Sequence, residues 1–127
     1  GECGRRADGR SVYDMVGVKR NAMGKAFLGE SGYSSLGLVI GGTHIEEAMQ
    51  IRARYRDSFF LIPGYGAQGG TAQDIAQYLS AGNGGVVNSS RGVLLAYKKQ
   101  PGVPFAEAAY NVCVKMKEAI AHACAEL

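Results

Sequence analysis

The sequence has no run of about 18 apolar residues, so no membrane-spanning helix is expected. No signal peptide opens it. Cysteine is scarce. Cys3, Cys113 and Cys124 are odd in number and widely spaced, no CxxC pair exists, and His44 and His122 do not stand at zinc-ligand spacing from them. A metal site is therefore not expected. Cys113 and Cys124 fall in an apolar-patterned helix, where each thiol is expected to be buried as a small hydrophobe, and a reducing cytoplasm is the expected compartment. An excess of one charge is also missing, since the net charge is only +3. Basic residues group only at Gly4 to Arg10 and at Lys98–Lys99, with no aromatic-interleaved basic stripe, which argues against a nucleic-acid partner.

What is abundant is glycine, with 19 residues, roughly twice the usual ~7% share. The glycines cluster in loops without a collagen-like period, marking places where the backbone turns sharply or approaches something closely. Hydrophobic residues at 46% and charged residues at 20% suit an ordinary globular domain. The 127 residues suffice for one domain and not two, with residues 1–9 read as a flexible N-terminal segment. The opening Gly1-Glu2-Cys3-Gly4, without methionine, reads as the inside of a longer protein.

Periodicity predicts a helix followed by three strand-helix units. Val12 to Phe27 places Val12, Met15, Val16, Met23 and Phe27 on one face despite Gly17 and Gly24. Gly29 to Ser35 reads as a loop. Leu36 to Ile40 and Phe59 to Ile62 lack alternation, as expected of parallel strands covered on both faces, and Pro63-Gly64 stops the second. Thr43-His44-Ile45-Glu46 fits a capping box opening a helix that runs to about Tyr55. Thr71 to Ala81 is the next expected helix, and Gly85 to Asn88 a third strand. Pro104, at a first helical position, opens a last helix with Phe105, Ala108, Val112, Met116, Ile120, Ala123 and Leu127 on one face.

The strands begin roughly 25 residues apart, room for one strand, one helix and two short loops. Repeated units of this kind build a parallel α/β sheet, either doubly wound or closed into a barrel. A (β/α)₈ barrel needs about 250 residues, and three strands cannot close on themselves. Their edges would leave backbone and apolar side chains uncovered.

Two segments carry chemistry. Pro63-Gly64-Tyr65-Gly66-Ala67-Gln68-Gly69-Gly70-Thr71 follows a strand and opens a helix. Its glycines allow backbone N–H groups to converge, the helix start adds positive potential, and Gln68 offers an uncharged amide donor; together these suit a phosphate. A tight strand-to-helix turn that binds nothing is the alternative. Asn88-Ser89-Ser90-Arg91-Gly92 ends the next strand, and Arg91 presents a fork of donors matched to phosphate oxygens, unless it is simply a solvated surface residue. Donor-rich loops after two adjacent parallel strands lie where many β/α barrels hold phosphate, after strands seven and eight.

Other features are set aside. Gly24-Lys25 lacks the remaining residues of a Walker A loop, and neither Ser31 nor Ser89 and Ser90 sit in a G-x-S-x-G elbow. Glu46 and Glu47 stabilise a helix start. His44 stands at a strand end without an evident acid or metal partner. Tyr65 either packs over a bound ligand or covers the barrel mouth.

Leu61 to Gly70, with its Gly66-Ala67-Gln68-Gly69-Gly70, and Val87-Asn88-Ser89-Ser90-Arg91 resemble the seventh and eighth strand ends of the longer bacterial orotidine 5'-phosphate decarboxylases. Gly29 to Ser35 and Val39-Ile40-Gly41-Gly42-Thr43-His44 resemble that family's approach to and exit from strand six. The resemblance runs from about Arg10 to Leu127. Gly42 stands where alanine is expected, and Tyr65 where a smaller aliphatic is common.

The resemblance implies the C-terminal portion of a TIM (β/α)₈ barrel, about three strand-helix units plus a preceding helix. The activity it implies is conversion of orotidine 5'-monophosphate to uridine 5'-monophosphate and CO₂ in pyrimidine biosynthesis, without metal or organic cofactor. It further implies that Gln68 and Arg91 hold the 5'-phosphate, assisted by the backbone around Gly69 and Ser90, with Pro63 and Tyr65 lining the pocket. The family's catalytic Asp/Lys array lies in a D-x-K-x-x-D motif, which this sequence does not contain. The chain alone is therefore expected to hold no catalytic residue, to be inactive, and to associate with the N-terminal half or a second copy of itself. The rival expectations are a free-standing, non-catalytic phosphate-binding half-barrel that oligomerises, and another phosphate-binding barrel such as a sugar-phosphate or tryptophan-pathway enzyme.

Overall fold

A computed structural model describes residues 12–42 and 45–127. Cys3, the basic stretch from Gly4 to Arg10, the segment 1–9, the capping residue Thr43 and His44 lie outside the described residues.

Helix α1 (Val12–Gly24) ends in a 3₁₀ turn at Lys25–Phe27 and leads to strand β1 (Ser34–Val39). Then come α2 (Ile45–Arg54), β2 (Ser58–Pro63), α3 (Ala72–Ala76), β3 (Gly85–Asn88), α4 (Ser90–Leu94), a 3₁₀ turn at Ala96–Lys99, and α5 (Phe105–Ala125). The strands form one parallel sheet in the order β1-β2-β3. Leu38 and Val39 pair with Phe60 and Leu61, and Phe60 to Pro63 pair with Gly85 to Asn88. The β1–β2 register slips between Ser34 and Leu38. Gly37 lies within that stretch, where a Cβ would come 2.6 Å from the Phe59 carbonyl oxygen; glycine is what lets the backbones meet there.

Alternation along β2 decides which way the sheet faces. Phe60 and Ile62 point to the helical side, into a buried cluster with Ala48, Tyr55, Ile75 and Tyr78. Burying an apolar side chain of this size contributes about 1.5–3 kcal/mol, so this cluster anchors the domain. The residues between them point the other way. Val39, Leu61 and Val86, partners across three strands, are 71%, 41% and 52% exposed. The expectation of strands covered on both faces is thus corrected: helices cover one face, and the other carries an open apolar row.

The helices correct the sequence reading in four places. The apolar residues of α1 are not its docking face, because Val12, Val16 and Met23, with Phe27 beyond it, are more than half exposed while Gly17 and Gly24 are buried. Gly17 lies against the Tyr55 ring, with room for no Cβ (2.7 Å from Cζ), and the Gly24 carbonyl accepts a bond from Ser34 Oγ at 2.9 Å. Small residues let α1 approach the domain, and an Arg54–Asp14 ion pair ties it to α2. Second, α3 is five residues long and not eleven. Thr71 and Asp74 form its capping box, but Tyr78 and Leu79 donate three residues back, and the Tyr78 carbonyl accepts from Arg52 Nε at 2.8 Å. The chain thus leaves α-helical bonding after Ala76, and the bond from Arg52 holds the Tyr78 carbonyl where it turns away. Third, Pro104 precedes α5 rather than opening it. Ala108 and Ala123 are the buried points of that helix, while Phe105 and Leu127 are exposed. Fourth, Cys113 is exposed and Cys124 half-buried, so Cys113 is not a core hydrophobe. Burial pushes the Cys124 thiol up, partly offset by a bond with the Gly82 backbone.

Among the described residues no helix is long and apolar enough to cross a membrane, and no three His, Cys, Asp or Glu side chains group to hold a metal ion.

Candidate functional site

The carboxyl ends of the strands meet on backbone. Gly42, after β1, donates to the Pro63 carbonyl at 2.8 Å, and Gly70 lies so close that a Cβ on it would sit 2.8 Å from the Gly64 oxygen and 2.9 Å from the Gly42 oxygen. Gly42 itself is enclosed: a Cβ would meet Ile75 Cδ1 at 2.8 Å and Ile62 Cγ2 at 3.0 Å. That packing explains why this chain carries glycine where alanine was expected.

From Pro63 the loop turns through Gly64, Gly66 and Gly69, with φ of 113°, 70° and 94°, a region that favours glycine. The loop closes on itself. Gly66 donates to Gly70 (2.8 Å), Ala67 to Tyr65 (3.0 Å), Gly69 to Gly66 (2.9 Å) and Gly70 to Gly64 (3.1 Å). These amides are engaged within the loop and do not converge outward on one point, and a five-residue α3 supplies little macrodipole. Four of the loop's amides, those of Gly66, Ala67, Gly69 and Gly70, are thus spent on the loop itself.

Between this loop and the start of α4 lies a solvent-open cleft of about 50 Å³, lined by Pro63, Gly64, Tyr65, Ala67, Gln68, Asn88, Ser89, Ser90 and Arg91. Pockets for drug-sized ligands begin at about 300 Å³, so a space this small suits only a small group such as a phosphate. The structure thus gathers Pro63, Tyr65, Gln68, Ser90 and Arg91, five of the six residues singled out in the sequence. Gly69 is not in the lining. Arg91 falls in α4, a short helix not anticipated from the sequence, and is exposed, as is Gln68. Neither side chain has a hydrogen-bond or ion-pair partner among the described residues. Ser90 Oγ donates to Asn88 Oδ1 at 3.2 Å. The lining holds one charge, the Arg91 guanidinium, and no carboxylate. Such a cleft attracts anions and has nothing within it to neutralise the cation.

Sequence reasoning passed over Ser89, whose Oγ donates to the Tyr65 carbonyl at 3.1 Å and so joins the two loops. The serine pair was visible in the motif, but which hydroxyl faces the neighbouring loop is set by the backbone at the end of β3.

No family model matches the chain. It is 56% identical over 117 residues to the orotidine 5'-phosphate decarboxylase of Clostridium tetani, covering 91% of this chain and 41% of that protein. Among solved structures, the UMP synthase of Leishmania donovani is similar with a TM-score of 0.63 and 32% identity, over 94% of this chain and 24% of that one. A putative orotidine-monophosphate decarboxylase from Toxoplasma gondii shares the fold, with a TM-score of 0.69 at 20% identity over 98% of this chain and 46% of that one. The chain thus spans less than half the length of these relatives, and its parallel sheet and helices are a portion of a TIM barrel.

Proposed function

We propose, from the match of this chain to the C-terminal portion of the orotidine 5'-phosphate decarboxylases, that its cleft grips the 5'-phosphate of orotidine 5'-monophosphate and of the product uridine 5'-monophosphate. The observation that carries this reading is that Gln68 and Arg91, from the ends of two adjacent strands, share one cleft that contains no acid. Arg91 would supply a charged, forked donor to two phosphate oxygens, and Gln68 a neutral amide to a third. Pro63 and Tyr65 would form the wall toward the rest of the nucleotide, with the Ser90 backbone beside the phosphate. Gly69 would act by shaping the loop.

Binding of this kind assists decarboxylation only by holding the remote end of the substrate while other groups act on the carboxylate. A charge-assisted bond is worth roughly 1.5–3 kcal/mol, enough for a few to anchor a nucleotide weakly. With no D-x-K-x-x-D motif in the sequence, this chain by itself binds and does not turn over. It works in the cytoplasm as a portion of a larger barrel, needing no metal or organic cofactor.

The exposed row of Val39, Leu61 and Val86 favours a second, compatible reading. An apolar sheet face of this kind associates, either with the strands that complete a barrel or with a second copy, which would make the chain a non-catalytic phosphate-binding half-barrel.

Calorimetric titration with uridine 5'-monophosphate tests the proposal. Weak binding is expected for the wild type and none for Arg91→Ala. Equal binding by both would place the phosphate elsewhere and end this reading.

A further inference from the structure

Ser89 immediately precedes α4, the usual place for a serine to cap a helix, yet its side chain makes no capping bond. Its hydroxyl turns to the neighbouring loop and donates to the Tyr65 carbonyl at 3.1 Å. The same carbonyl accepts the Ala67 N–H at 3.0 Å, so one oxygen anchors both the inner turn of the glycine loop and the neighbouring strand end. Gly92 leaves space for this arrangement, since a Cβ there would stand 2.5 Å from Ser89 Oγ. Among the described residues no other side-chain hydrogen bond joins the two loops.

The two long side chains of the cleft lie close to that link in sequence. Gln68 lies three residues beyond Tyr65, and Arg91 two beyond Ser89. Pairing of Pro63 with Asn88 fixes where the loops begin, but not where they go. The glycine loop then passes through left-handed Gly64 and Gly66, the positions about which it can most easily swing. A site whose donors are held at a set separation binds better than one that must order them on binding.

We infer that Ser89 is a positioning residue: its hydroxyl staples the Gly64–Gly70 loop to the start of α4 and thereby sets the separation of Gln68 and Arg91 across the cleft. The inference rests on the phosphate reading of that cleft, and it adds a residue whose effect passes through Gln68 and not through contact with the ligand.

Amide exchange of the ligand-free chain tests the staple directly. In Ser89→Ala the amides of Gly66, Ala67 and Gly69 should exchange about fivefold to tenfold faster, the size of one ordinary hydrogen bond, with the β2 amides unchanged. Gly92→Ala should produce the same acceleration by displacing the hydroxyl, and should add nothing in the Ser89→Ala background. Unchanged loop exchange in Ser89→Ala overturns the staple whatever the ligand. Titration with uridine 5'-monophosphate then tests the positioning. Ser89→Ala should weaken binding by about fivefold to tenfold when Gln68 is present and by less than about twofold in a Gln68→Ala background. Equal losses in both backgrounds overturn the role through Gln68. A wild type that binds no nucleotide removes the phosphate reading and this role together, while the exchange comparison still reports separately on the staple.

Discussion

The guanidinium carbon of Arg52 stands 3.6 Å from the centroid of the Phe60 ring. From there its nitrogens reach three backbone carbonyls of otherwise separate segments: Ser58 at the start of β2 (2.9 Å), Tyr78 after α3 (2.8 Å) and Gly84 before β3 (2.8 Å). All three lie at the end of the sheet opposite the cleft, the end of a β/α barrel where side chains serve stability. Burial pushes the Arg52 pKa below its ordinary value, with Tyr33 acting in the opposite direction. The carbonyls and the ring stand in for the lost water.

The three carbonyls are met by three separate nitrogens of the guanidinium, a spread that a single ammonium nitrogen cannot match. Arg52→Lys should therefore lose about 3 kcal/mol or more, since at least two charge-assisted bonds are broken and buried carbonyls are left unpaired. Urea unfolding measures it, and a cost below about 0.5 kcal/mol would show the clamp to be idle.

In α1 the glycines should matter more than the apolar side chains. Gly17→Ala brings a Cβ within 2.7 Å of the Tyr55 ring and should destabilise by about 1–3 kcal/mol, despite the better helix propensity of alanine. Val16→Ser, at a position 59% exposed, should stay within about 0.5 kcal/mol. Denaturation midpoints of the two variants, taken together, check the order; a larger loss for Val16→Ser would contradict the docking seen here.

Gly42→Ala should cost about 1–3 kcal/mol through overpacking against Ile75 Cδ1 and Ile62 Cγ2. Adding Ile75→Val, which deletes the nearer of those two atoms, should make the combined loss smaller than the sum of the single losses. Simple additivity in thermal unfolding would mean that the strain lies elsewhere.

Leu61→Glu should leave the isolated fold nearly unchanged, because the side chain projects from the uncovered face of the sheet. It should nevertheless reduce association, since burial of that face is worth roughly 25 cal/mol per Å² and a carboxylate there opposes it. Light scattering is expected to show the wild type above the 13.4 kDa of one chain and the variant closer to it. A wild type that remains monomeric at high concentration contradicts the proposed association.

Much of the architecture is determined locally and was legible in the sequence. The short apolar runs at Leu36 to Ile40, Phe59 to Ile62 and Gly85 to Asn88 gave the three parallel strands, since such segments separated by helices leave few other ways to bury their apolar side chains. The paired loops around Gln68 and Arg91 were recognisable because glycine placement and donor chemistry are properties of the chain itself. What the tertiary structure decided were relations between segments far apart in sequence. The face on which α1 docks depends on Tyr55 and Ser34, and no periodicity within α1 reveals that its glycines are the contact. Just beyond α3 an arginine of α2 holds the Tyr78 carbonyl, a contact that no pattern within α3 reveals. The bond from Ser89 to Tyr65 exists only because β2 and β3 are neighbours in register, and the open row of Val39, Leu61 and Val86 follows from which side of that sheet the helices cover. Hydrogen bonds and packing act over a few ångströms of space, and only the folded chain brings these residues within that range.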